Sequence, residues 1–102
     1  MPAIDFDLTG NMIVTFYDRR DDWQNILYHL YSARINSSGN RLEPNIRVST
    51  FQSDPRNYTV YTNFIGDYQD VWSQAYGGVD YYFPSWVGIP NVGDIWVSAI
   101  QP

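Results

Sequence analysis

Turn-forming residues cut this chain into pieces suited to short strands. Gly10-Asn11, Asp21-Asp22, Ser37-Ser38-Gly39-Asn40, Asp54-Pro55, Gly77-Gly78 and Pro90-Asn91 each interrupt an apolar or alternating run. Strands are expected between them, near residues 3–7, 12–17, 26–35, 46–50, 68–74, 79–86 and 94–100. The longest expected loop covers residues 52–63, within which residues 58–62, Tyr-Thr-Val-Tyr-Thr, offer one further strand. Composition agrees with this reading. Aromatic residues make up 18% and charged residues only 17%, a balance that suits strands better than solvated helices and argues against disorder.

One segment resists a purely local reading. Residues 18–35, Asp-Arg-Arg-Asp-Asp-Trp-Gln-Asn-Ile-Leu-Tyr-His-Leu-Tyr-Ser-Ala-Arg-Ile, begin with five charges and continue apolar. As a helix, Trp23, Ile26, Leu27, Leu30 and Tyr31 share a face, and Asp21 or Asp22 serves as N-cap. As a strand, Ile26, Tyr28 and Leu30 alternate with Leu27, His29 and Tyr31, so both faces are apolar or aromatic.

An internal repeat settles the matter. "NMIVTFYDRR…LYSARI" and "VDYYFPSWVG…WVSAI" share a layout: an alternating strand ending in an aromatic (Phe16, Trp86), a polar loop, and a strand closing on Ser-Ala (Ser32-Ala33, Ser98-Ala99). In each copy a glycine-containing turn and another short strand come first. "GDIWVSAI" is too short and too rich in β-formers to be a helix, so its counterpart in the first copy is a strand as well.

The net charge of −5, with six cations that are all Arg, argues against a non-specific phosphate-backbone binder, and no nucleic-acid partner is expected. The chain has no Cys, hence no disulfide or thiolate metal site. A lone His29 in mid-strand points to a packed or edge histidine rather than a metal site or an acid–base triad. No phosphate-cradling or dinucleotide motif occurs, and no cofactor is expected. The N-terminus has no basic and apolar leader, and no apolar run approaches the roughly 20 residues of a membrane span. The expectation is a soluble chain, cytoplasmic by default.

Taken in order, "VTFYDRRDD", "LYSARI", "EPNIRVST", "FIGDYQ", the Pro84-Ser85-Trp86 strand and "GDIWVSAI" resemble the last two blades of bacterial sialidase-like (BNR/Asp-box) β-propellers. The resemblance spans nearly the whole chain. It implies an all-β fold of antiparallel four-stranded blades in a single domain: a first blade over residues 1–51, a linking loop over 52–63 and a second blade over 64–102. The first blade would use residues 3–7, 12–17, 26–35 and 42–50. The second would use 65–74, 79–86 and 94–100, its outer strand missing or supplied from elsewhere. A monomeric β-sandwich is the alternative fold. The family's Asp-box should follow Ser32-Ala33-Arg34, where this chain has "INSSGNRLEPN", with Ser37 in the Asp position and Leu42 in the aromatic one. A sialidase draws its arginine triad, nucleophile pair and acid from several different blades, and no catalytic residue is assigned in these two.

Blades cover their faces with neighbouring blades, and isolated repeats of this kind need about three or more copies. The expectation is a homotrimer closing a six-bladed ring, its lone monomer poorly folded. The ligand candidates are Asp18, Arg19, Arg20 and Trp23 on the first charged loop, with Asp67, Tyr68 and Asp70 near a channel mouth. Arg19 and Arg20 suit a carboxylate or acidic sugar, although local charge pairing within the loop explains the same cluster. Asp67 reads as a turn cap after Gly66 in preference to a channel-lining carboxylate. Trp72, Trp86 and Trp96 read as core, leaving Trp23 as the better stacking platform. The functional expectation is a non-enzymatic, self-assembling module that binds a carbohydrate or other small ligand. The alternatives are a glycosidase with sites formed between chains and an inactive remnant of a longer propeller.

Overall fold

A computed structural model describes residues 2–57, 69–89 and 94–101. Among these residues it holds two antiparallel sheets and, besides strands, one 3-10 turn at Pro55–Asn57. The first sheet has the order β1 (Ala3–Phe6), β2 (Met12–Asp18), β3 (His29–Ile35) and β4 (Ile46–Arg47). The second has β5 (Asp70–Tyr76), β6 (Val79–Gly88) and β7 (Asp94–Val97), so three strands among the described residues. The all-β reading of the sequence stands, and the segment that could have been a helix is a loop leading into β3.

Several boundaries move for identifiable reasons. β3 starts at His29 rather than residue 26, because the Asp22 carboxylate takes the N–H groups of Ile26 and Leu27 (2.9 and 2.8 Å). β4 shrinks from 42–50 to two residues, although its flanks still follow β3 in broken form. Leu42 N–H bonds to Arg34 C=O, and Val48 N–H to Leu30 C=O. Within that stretch Pro44 has no N–H to donate, and the Ser49 hydroxyl replaces a backbone group by accepting Leu30 N–H (3.0 Å). β7 ends at Val97 because Pro84, across from Ser98, can accept but not donate. β5 begins at Asp70, and the part of its expected range at 65–68 lies outside the described residues.

Turn chemistry recurs. Asp7 Oδ1 accepts the N–H groups of Thr9 and Asn11, and Asp7 C=O accepts Gly10 N–H. Asn36 repeats the pattern with Ser38, Asn40 and Gly39. Asp22 repeats most of it with Gln24, Ile26 and Asn25. The fourth position needs a left-handed backbone: Gly10 and Gly39 have φ of 85° and 83°, and Asn25 stands there at 59°. On the turn after β3 the organising side chain is therefore Asn36, one residue before the Ser37 expected from the Asp-box.

Backbone polarity fixes how the sheets are oriented. Just below β2, Asp7 N–H bonds to Asn11 C=O, so odd-numbered residues of that strand bond toward β1 and Met12, Val14 and Phe16 toward β3. In β6, Tyr82 exchanges both backbone bonds with Ile100 on the β7 side (2.9 Å each). For L-residues, strand direction and the side toward which a residue bonds together fix the face its side chain points to. The Met12–Val14–Phe16 face thus corresponds to the Tyr82–Pro84–Trp86 face. Yet Ile13, on the opposite face of β2, is the residue that packs against Tyr82 and Val71. The sheets are stacked front to back.

Phe16 and Trp86 consequently occupy matching positions, as do Asp18 and Gly88. The Ser-Ala pairs do not match. Ser32 lies across from Thr15, whereas Ser98 bonds across to Pro84, so the two serines point to opposite faces. A shift of one residue in a period-two strand has that consequence.

The core lies between the layers. Ile13, Val71 and Tyr82 are buried there, with Ala3 and Ile100 at its margin. Polar bonds tie the layers around it. Asp5 Oδ2 accepts Ser73 N–H (2.7 Å), and the Ser32 and Tyr82 hydroxyls are bonded (3.0 Å). Beyond the first β5–β6 pair, Asp70–Ser85, tyrosines stand in for a strand. The Tyr17 hydroxyl accepts Val87 N–H (2.9 Å), and the Tyr28 hydroxyl donates to Val87 C=O (2.6 Å). Burial raises the pKa of both tyrosines and keeps them protonated. The outcome is a slab of 41 × 27 × 20 Å, its thinnest dimension that of two stacked sheets.

Candidate functional site

The β2–β3 loop is the most heavily organised surface of the molecule. Asp18 Oδ1 accepts Arg20 N–H (2.7 Å), and its Oδ2 pairs with Arg20 Nη2 (2.6 Å). The guanidinium accordingly lowers the Asp18 pKa. Arg20 also lies 4.2 Å above the Tyr31 ring. Arg19 donates to Asn25 C=O (3.0 Å), and Asp22 closes the turn described above. With these bonds the loop is pinned, and Trp23, in the second position of its turn, is 91% exposed. Leu8 holds the same turn position in the β1–β2 connection and is exposed as well. The turn geometry itself projects that side chain outward.

Behind the loop a second group converges on Asp21. Its Oδ2 accepts the Tyr31 hydroxyl (2.5 Å), with Arg47 Nη1 at 3.8 Å and His29 Nε2 at 4.0 Å. His29 Nδ1 is 2.9 Å from Ser49 Oγ. That oxygen also accepts Leu30 N–H; when the serine proton is donated to Nδ1, the ring proton is on Nε2, on the side of Asp21. Burial, then the nearby Arg47 charge, lowers the His29 pKa against the opposing pull of Asp21, so the ring is neutral at pH 7. Burial and the Asp21 bond raise the Tyr31 pKa.

Ser49, His29 and Asp21 are the residue types of a hydrolytic triad without its geometry. Ser49 is buried, its oxygen is occupied by a backbone donor, and the His–Asp separation is 4.0 Å. The arrangement fastens β4 and the loop onto β3. Of the packed or edge histidine expected from the sequence, the structure has the packed one, with named partners.

The predicted ligand residues separate accordingly. Asp18 and Arg20 are brought together and consumed by one another, Arg19 braces the loop, and Trp23 is left in solvent. Asp70 opens β5 and its carboxylate accepts Val71 N–H (2.9 Å). Through its pairing with Ser85 it lies at the same end of the slab as the charged loop. Asp67 and Tyr68 lie outside the described residues. Sequence reasoning missed Asp21, Tyr31, Arg47 and Ser49 as a group. The available signal was the alternation of His29 and Tyr31 on one face of β3, opposite a strand carrying Arg47.

A polar cleft of about 400 Å³ lies at the other end, among Asp7, Asn11, Arg34 and Asp80. Arg34 is forked onto Glu43 (2.8 and 3.0 Å), and Thr9 and Asn11 occupy the Asp7 oxygens. The Arg34 and Asp7 charges are thus satisfied internally. A shallower groove of about 310 Å³ on the outer face of the second sheet is lined by Tyr76, Tyr81, Phe83 and Ala99. Among the described residues no cluster of three or more His, Cys, Asp or Glu side chains could hold a metal ion, and no helix is long and apolar enough to cross a membrane. In comparisons with known proteins, the chain matches no family model, no curated protein and no solved structure.

Proposed function

We propose that this chain is a non-enzymatic, self-assembling β-propeller module whose ring presents the Trp23 loops to a carbohydrate or other small ligand. One observation carries the reading: two sheets stacked front to back, with an apolar face left open on each side of the pair. Ile4 and Phe6 are 53% and 60% exposed on one side, and Trp72 and Val97 are 42% and 57% exposed on the other. Continued front-to-back stacking of a repeat covers both faces once a ring closes. Three two-sheet chains would give six blades, the count implied by the sequence resemblance. Symmetric copies of a pinned, exposed indole would turn a weak stacking contact into a multivalent one.

Light scattering in dilute solution tests the assembly, with the expected mass being about three times that of the 11.9 kDa chain. A compact, folded single chain would sink the reading. Glycan-array binding tests the ligand, with Trp23→Ala expected to abolish retention while leaving the mass unchanged. Binding indifferent to that substitution would remove Trp23 from the function.

A further inference from the structure

We infer that the two outer sheet faces are the two halves of a single heterologous interface, the β5–β6 face of one copy receiving the β1–β2 face of the next. This rests on the self-assembly reading and goes further by naming the surfaces and their polarity. The contact within the chain is the template. There the Ile13 face of the first sheet is covered by the Tyr82 face of the second, and backbone polarity makes these unlike faces of equivalent sheets. What remains is therefore one face of each kind. The Trp72–Phe83 face is equivalent to the Ile13 face, and the Val14–Phe16 face is equivalent to the Tyr82 face. A second copy supplies the complement to each, whereas pairing like with like would need a contact that the chain does not make internally.

The chemistry of the faces agrees. On the second sheet, Trp72 stacks on Phe83 (5.1 Å between ring centres), and Tyr76 and Tyr81 pack around the same ring. By strand alternation, Val97 and Ala99 continue that face, and Asp70 stands at its margin with its carboxylate on Val71 N–H. On the first sheet, Ile4 and Phe6 stand beside Val14, Met12 and Phe16, with Asp18 and Arg47 at the margin paired to Arg20 and Asp21. Two faces that are apolar at their centres, with charges only at their margins, dock without stranding an ion in the middle of the contact.

The test mixes two variants, each with one face spoiled at an exposed position: Phe6→Glu and Trp72→Glu. Native mass spectrometry and near-ultraviolet circular dichroism are recorded for each alone and for the equimolar mixture. Each variant alone should lose the wild-type assembly. The mixture should form a 1:1 heterodimer and regain aromatic dichroism, because one intact face of each kind remains between the two chains. That regain is readable even if the lone variants fold poorly. If either variant alone kept the wild-type mass, or mixing restored nothing while wild type still assembled, the face pairing would be wrong although self-assembly stood. A wild-type protein found only as single chains would overturn both.

Discussion

The covered and the open faces of this protein are made by the same strands. In β2, Ile13 and Thr15 are buried between the layers, while Met12, Val14 and Phe16, one residue over, form an outer face. In β6, Tyr82 and Pro84 are buried, while Tyr81 and Phe83 line an open aromatic groove. The strands are apolar on both sides, as in sheets covered on both faces. Composition does not distinguish the inside of the chain from its outside. Only the order of stacking does.

The largest effect should come from the covered side. Tyr82→Ala removes a fully buried ring and the partner of the Ser32 hydroxyl, at an expected cost of about 3–5 kcal/mol. Thermal or urea unfolding should show loss of the folded state. A comparable truncation at exposed Tyr76 should cost far less, and equal losses would erase the distinction between the faces.

Gly88 comes next. A Cβ there would meet Trp96 Cδ1 at 2.5 Å and Phe51 Cζ at 2.8 Å, where β7 and the chain after β4 close over β6. Gly88→Ala should destabilise by about 1–3 kcal/mol, as overpacking does. A neutral result in urea titration would mean that these rings do not seal this edge. Tyr28→Phe should cost about 1–2 kcal/mol by leaving Val87 C=O without its donor, with aromatic packing retained. The amide exchange rates of the β6 end should rise with it, and unchanged protection would separate the tyrosine from the join between sheets.

Much of the strand layout was legible because turn chemistry is local. Asp7-Leu8-Thr9-Gly10-Asn11 and Asn36-Ser37-Ser38-Gly39-Asn40 are the same turn in sequence and in geometry. Asp22-Trp23-Gln24-Asn25-Ile26 was harder to read because Asn25 stands in the glycine place. The repeat was legible too, but not its parity, since both copies end in Ser-Ala and only the backbone bonds show that Ser32 and Ser98 face opposite ways. The Asp21 group was illegible for a different reason. Arg47 and Ser49 join it only after a broken β4 returns along β3, which no local pattern foretells.

The smallest expected effect concerns pH, and it tests whether His29 belongs to the sealed part of the molecule. Its pKa is lowered on folding, so below the ordinary value of 6.5 the unfolded chain binds the proton more readily than the folded one. Its contribution is fully present above about pH 6.5 and falls as pH drops from there toward the folded-state pKa. Unfolding curves from pH 8 to 4 should show this slope in wild type and a flatter one in His29→Gln. Identical slopes would mean that the ring is not held neutral.

Tryptophan oxidation footprinting, read residue by residue as protein concentration rises, tests front-to-back assembly most directly. Trp86 is buried within the chain, Trp23 projects from its turn, and Trp72 lies on the open face of the second sheet. Trp86 should be protected throughout, Trp23 should react throughout, and Trp72 should pass from reactive to protected as chains associate. Trp72 reacting in step with Trp23 at every concentration would contradict front-to-back assembly.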